Sequence, residues 1–186
     1  MVAVDNTLLC LMLHTSARPP RDPATGKPVD RVQDRIEKLL EDLDADSERM
    51  IIPTPALCEF LILADKDGPE YLEKIRASRT LIITPFDEMA AIELAAIERE
   101  ARGSGDKRGG SSATWAKVRF DRQIVAIAKA HKATRIYSDD EDVVKFGTKA
   151  GLEVVSTWSL GLPAAKQTKM FDDEGTSRFI NLDDEE

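Results

Sequence analysis

Five short apolar runs recur along the first 156 residues, and a stretch with helical periodicity follows each of the first four. That alternation limits the fold more than any other feature. The runs are Val2–Val4, Met50–Ile52, Leu81–Thr84, Thr134–Tyr137 and Leu152–Ser156. Helices are expected after Asp5 to about His14, from Arg31 to about Asp44 behind an Asp30 cap, behind a Thr54 cap with Pro55 at the first helical position, and over Glu70–Ser78. Three more are expected: a long one opened by Asp87, one from about Ala113 to Lys132, and one over Val143–Ala150. Residues 15–30 and 103–112 read as loops from their Gly, Pro and polar content. Strands that alternate with helices build a parallel sheet covered on both faces. The expected fold is therefore α/β: a three-layer α/β/α domain over residues 1–157, with a central parallel sheet of about five strands. Residues 158–186 read as a polar, acidic tail. Neither a signal peptide nor a membrane span is expected, because the longest N-terminal apolar stretch, Leu8–Leu13, is too short and has no basic flank.

Two carboxylates stand alone inside apolar runs. Asp5 is the only charged side chain from Met1 to Leu13, and Glu59 the only one from Ile51 to Ala64. An ionised carboxylate in such surroundings loses hydration at a cost of several kcal/mol unless donors or a cation replace the water. Asp5 follows the first strand, Asp140 follows the fourth, and Glu59 begins the helix after the second. In open parallel sheets, sites form at the carboxyl ends of the strands near a switch in strand order, so these three acids belong at one edge. Asp121 shares the spacing i, i+3, i+7, i+10 with Val118, Val125 and Ala128, which puts it on the stripe facing the sheet. The plainer reading of Asp121 is an ion pair with Lys117, one helical turn before it.

Net charge is −8, yet its distribution is uneven. Residues 166–186 hold seven acids against three bases, whereas residues 99–135 hold ten bases against three acids. A local basic segment can supply phosphate contacts on an acidic protein, and the acidic tail could shield it; the same residues also fit the solvated faces of two helices. Lys117, Arg119 and Arg122 flank Asp121 and are the candidates for gripping a phosphate backbone. Trp115 and Phe120 could stack on a base but suit the core better. Cys10 and Cys58 lie in apolar segments and read as buried free thiols, which suits a reducing cytoplasm.

With the four acids in order, the chain resembles the PIN-domain ribonucleases. The matching segments are Val2-Ala3-Val4-Asp5-Asn6-Thr7, Pro53-Thr54-Pro55-Ala56-Leu57-Cys58-Glu59 and the stretch from Asp121 to Asp142, in which Ser138-Asp139-Asp140 stands for the family's acidic turn after a strand. The resemblance implies a PIN-like fold and metal-dependent endonucleolytic hydrolysis of single-stranded RNA with Mg²⁺ or Mn²⁺, leaving a 5′-phosphate. It also implies that Asp5, Glu59, Asp121 and Asp140 are catalytic and metal-binding, with Asp139 and Asp142 as accessory ligands and Thr7 and Ser138 as substrate-side hydrogen-bonding helpers. Members of this kind act as toxins of toxin–antitoxin pairs, so an antitoxin protein is an expected partner beside RNA. A homodimer through the helices over 31–44 and 55–78 is a further expectation from their apolar content.

The chemistry suits the residues. Hard divalent cations held by carboxylate oxygens neutralise phosphate charge and lower the pKa of a bound water, and one or two ions would serve. His14 and His131 have no histidine partner at ligand spacing, so a zinc site is not expected. No serine sits in a nucleophile-elbow motif, and Gly103–Gly110 lacks the Gly-Lys-Ser/Thr end of a phosphate-binding loop. A phosphatase of the haloacid-dehalogenase type would carry an Asp two residues after Asp5, where this chain has Thr7. The remaining alternative is a PIN-like module that binds RNA or a partner protein without cutting.

Overall fold

The computed structural model describes residues 1–14 and 17–163 in full, and residues 167–171 and 177–181 as backbone. The side chains of the acidic tail, and with them the idea that it shields the basic segment, lie outside the described residues.

Five parallel strands form the sheet in the order β3-β2-β1-β4-β5. They are β1 (Val2–Val4), β2 (Met50–Pro53), β3 (Leu81–Thr84), β4 (Arg135–Tyr137) and β5 (Glu153–Val155). The register runs Val2 with Met50 on one side and with Arg135 on the other. Period-two alternation splits each central strand between two cores. Val2, Val4, Met50, Ile52 and Tyr137 pack under α1 (Asn6–Leu13), α2 (Val32–Ala45), α3 (Thr54–Ala64) and α4 (Gly68–Ala77). Ala3, Ile51 and Ile136 pack under α5 (Glu88–Gly103), α6 (Trp115–Ala130) and α7 (Glu141–Lys149). Because both faces are covered, the central strands β1 and β2 are apolar throughout rather than alternating with polar residues.

Strand order reverses beside β1: the chain runs outward through β2 and β3, then returns to the other side for β4 and β5. Diverging loops at that switch leave a crevice at the carboxyl ends of β1 and β4.

Local details depart from expectation. Asp30 does not cap α2; Arg31 is the cap residue, in the left-handed region at φ 49° and without a side-chain cap bond. Asp30 Oδ1 instead accepts from Arg35 Nη2 at 3.0 Å. Pro53, not Thr54, precedes α3, and Thr54 Oγ1 accepts from Phe86 N at 3.2 Å, tying α3 to the segment after β3. The packed domain also runs past residue 157: a 3₁₀ turn covers Thr157–Ser159, and Leu160 is buried in the first core, its carbonyl accepting from Arg35 Nη1. Beyond it, β6 (Gln167–Phe171) and β7 (Ser177–Asn181) pair antiparallel as a separate two-stranded sheet, where the sequence reading assigned no element. Thr168, Phe171, Phe179 and Ile180 favour extended backbone, a local preference masked by the surrounding charge.

Gly147 sets the distance between α7 and the sheet. A Cβ there would lie 2.7 Å from Val154 Cγ2 and 3.6 Å from Ile136 Cδ1. Gly147→Ala should therefore destabilise the domain by about 1–3 kcal/mol despite the better helix propensity of alanine. Thermal melts of the two proteins check this; an unchanged or raised midpoint would show that the contact yields freely.

Candidate active site

The crevice at the switch point is a cavity of about 380 Å³, and Asp5, Glu59, Asp121 and Asp140 all line it, together with Asn6, Thr7, Ile62, Leu63 and Lys117. Four acids separated by as much as 135 residues thus face one space. Each arrives by its own local route. Asp5 ends β1 and caps α1, its Oδ1 accepting from Leu8 N at 3.1 Å. Asp140 follows β4 and caps α7, its Oδ1 accepting from Asp142 N at 2.8 Å and Val143 N at 3.3 Å. Glu59 lies in α3, half-buried. Asp121 lies on the buried stripe of α6 with Val118, Val125 and Ala128.

Asp5 finds the donors its apolar surroundings demand, though no Lys or Arg among the described residues pairs with it. Ser138 Oγ donates to Asp5 Oδ2 and in turn accepts from Asp140 N at 3.0 Å, so one buried hydroxyl fixes two of the acids. Burial still dominates and pushes the Asp5 carboxyl up to about 7, with Asp139 and Asp140 adding like-charge repulsion. Asp121 is raised to about 6, again chiefly by burial, against the pull of Lys117. Burial also raises Glu59. Asp140 goes the other way: its burial is outweighed by Lys117 and by the two backbone N–H groups, which hold it below 3.8.

Three carboxylates, those of Asp121, Asp140 and Asp142, bring oxygens within 4.8 Å of one another. That spacing fits a shared cation, and hard oxygen donors are what Mg²⁺ and Mn²⁺ take. An ammonium already bridges two of them: Lys117 Nζ lies 2.9 Å from Asp121 Oδ2 and 2.8 Å from Asp140 Oδ2. The ion pair read as the plainer account of Asp121 is thus present, although the acid itself is buried. Among the described residues a single positive charge lines this cavity beside four acids, an excess of negative charge that a divalent cation would relieve. Asp142 is braced by Ser111, whose Oγ donates to its Oδ2 at 2.5 Å.

Several expected site residues lie off the cavity wall. Asp139 turns away from the cluster, its two oxygens accepting from Thr157 N at 2.7 Å and Thr157 Oγ1 at 2.6 Å. Ser138 is fully buried, its hydroxyl engaged by Asp5 and by the Asp140 N–H. Arg122 is 1 % exposed, paired with Glu98 at 3.1 Å and stacked over Phe146, so it cannot grip a ligand. Arg119 is exposed but does not line the cavity. Phe120 is exposed rather than core, while Trp115 is half-buried beneath Lys107. Cys58 is exposed, because the buried stripe of α3 runs through Pro55, Ala56, Leu57, Phe60 and Ala64 instead. The sequence reading missed Asn6, legible as the neighbour of Asp5, and Ser111, for which no local spacing pointed to Asp142.

The raised acids set a pH dependence for the metal-free chain. Asp5 holds its proton to about 7 and Asp121 to about 6 when folded, against 3.8 for an ordinary Asp. The folded state therefore binds more protons between those values, and stability falls as pH rises through that window. In chelator, the thermal midpoint should drop from pH 4 to pH 7, and Asp5→Asn should flatten the drop. An identical slope in that variant would refute the assignment.

A parallel 3-2-1-4-5 sheet with carboxylates gathered at its switch point defines an α/β domain built around an acidic cavity. The model of the PIN domain matches residues 30–149, and the chain belongs to that family, whose members generally use divalent metals. Asp5 lies before the matched stretch. Among solved structures, VapBC2 from Rickettsia felis bound to a DNA fragment from its promoter aligns at TM-score 0.53 and 16% identity, covering 84% of this chain and 98% of that one. The DNA-bound VapBC from Salmonella typhimurium aligns at TM-score 0.53 and 15% identity, covering 84% and 99%. At such identity the likeness is one of fold. No curated protein matches the chain. No helix among the described residues is long and apolar enough to cross a membrane.

Proposed function

We propose that this chain is a divalent-metal-dependent endoribonuclease that hydrolyses phosphodiester bonds of single-stranded RNA. The observation that carries the reading is the triad of Asp121, Asp140 and Asp142, with oxygens within 4.8 Å, on a cavity that also holds Asp5 and Glu59. Asp121, Asp140 and Asp142 would hold Mg²⁺ or Mn²⁺, and Asp5 and Glu59 deepen the negative field that draws a cation in. When bound, the ion supplies neutralisation of phosphate charge and a water of lowered pKa. Ser138 holds Asp5 and Asp140 in place, Ser111 holds Asp142, and Thr7 and Lys117 are the groups left to meet the substrate at the cavity wall.

Membership of the PIN family and the DNA-bound VapBC neighbours support a toxin of a toxin–antitoxin pair, with an antitoxin protein as partner. Ile62 and Leu63, 73 % and 65 % exposed on α3 at the cavity mouth, give a protein partner or a second copy of the chain an apolar contact. The exposed free thiol of Cys58 suits the cytoplasm. A second reading, a PIN-like module that binds RNA or a partner without cutting, draws on the Lys117 bridges, which satisfy two acids with no metal.

Incubation with a single-stranded RNA oligonucleotide separates the two. Cleavage with Mn²⁺ that leaves 5′-phosphate ends and stops with chelator is the expected result. RNA binding without cleavage under any divalent ion would favour the module.

A further inference from the structure

Among the described residues, Lys117 is the one cationic side chain lining the acidic cavity, and its position is specific. It lies in the first turn of α6, one turn before Asp121, so that pair forms with the helix itself. Asp140 is different: it comes from the turn after β4, 23 residues on, and the same ammonium reaches it at 2.8 Å. The two carboxylates that Lys117 holds are two of the three whose oxygens converge. The third, Asp142, is held by Ser111 and faces Lys145 at 3.5 Å.

We propose that Lys117 is a resident counter-ion that competes with the divalent cation for the Asp121–Asp140 pair, so that loading the metal expels the lysine from between them. This rests on the metal-dependent reading of the cavity. An ammonium has three N–H donors and no acceptor, so it binds the same oxygen lone pairs that a metal would coordinate. Mg²⁺ needs contacts of about 2.0–2.1 Å, so ammonium and metal on one oxygen would be like charges within about 5 Å of each other. The lysine is free to yield. Its side chain is 43% exposed, and a flexible four-carbon stem can carry the charge to the cavity mouth without moving the helix. In the metal-free chain the same lysine relieves the repulsion between two acids and ties α6 to the turn before α7.

The test is Mn²⁺ binding, followed by electron paramagnetic resonance of the free ion, for the wild type and Lys117→Met. The variant should bind Mn²⁺ on the order of tenfold tighter, the direction set by removing a competing unit charge. Its metal-free thermal midpoint should be lower, with the gap closing as Mn²⁺ is added. A second measurement uses the unaltered protein: acetylation of Lys117 by an amine reagent, read by mass spectrometry, should speed up when Mn²⁺ is present. Equal or weaker Mn²⁺ binding in the variant, or acetylation indifferent to the ion, overturns the proposal while leaving the metal site standing. Absence of Mn²⁺ binding in both proteins overturns the metal reading as well.

Discussion

Asp140→Asn should lower RNA cleavage by more than about 100-fold, since losing even a group behind a metal ligand costs about 10–100-fold and Asp140 is proposed as a ligand itself. The variant is informative because Asp140 has two separate duties. Its Oδ1 caps α7 through the Asp142 and Val143 N–H groups, and its Oδ2 takes the Lys117 ammonium beside Asp121. Asparagine caps a helix about as well as aspartate, so α7 keeps its start while the cavity loses one negative charge. Metal-free stability should then stay within about 1 kcal/mol of the wild type, the size of a partly exposed ion pair. Asp140→Ala removes both duties and should lose the same activity plus about 1 kcal/mol of stability for the cap. Circular dichroism and a denaturant midpoint measured beside the cleavage assay separate the two contributions. Full cleavage by a folded Asp140→Asn protein would end the metal-ligand assignment and, with it, the main support for the nuclease reading.

The pattern of success and failure in the sequence reading follows from the range of each signal. Asp5, Glu59 and Asp140 were legible because a parallel sheet fixes which strand ends share an edge: Asp5 and Asp140 each sit between a strand end and a helix start, and Glu59 lies within the helix that follows β2. Asp121 was legible because helical periodicity sorts α6 into a buried and an exposed face. The same periodicity should have removed Arg122, whose neighbours Val118 and Val125 are also buried. Its charge argued for solvent, and the compensating Glu98 lies 24 residues earlier on α5, beyond any local pattern. Asp139 and Asp140 are adjacent and chemically alike; only the arrival of Thr157, 18 residues on, takes up both oxygens of Asp139 and not those of Asp140. Ser111 belonged to a stretch read from composition only as a loop, yet it spans 31 residues to brace Asp142. Positions set by local period and topology can be read from one sequence; those set by which distant side chain fills a bond cannot.

Arg122→Ala should destabilise the domain by about 3–5 kcal/mol, the range for breaking a buried ion pair by removing one partner. The guanidinium is 1 % exposed; Nη1 meets Glu98 Oε1 at 3.1 Å, and the group lies 4.9 Å from the Phe146 ring centroid and 5.8 Å from that of Trp115. Gly109 closes the pocket, with no room for a Cβ against Phe146 or Arg122 Nη2. Truncation leaves the half-buried Glu98 without its guanidinium partner, where its Oε2 already has no hydrogen-bond partner. Replacing both members with methionine removes the stranded charge, and buried pairs exchanged for apolar residues of similar volume are often neutral or better. The double variant should therefore recover most of the loss, with an urea midpoint near the wild type and an unchanged m value. A double variant as unstable as Arg122→Ala would place the cost in the rings around Arg122 rather than in Glu98. In either case, RNA affinity of the folded fraction should be unaltered, because this arginine contributes to function only by holding α5, α6 and α7 together behind Asp121.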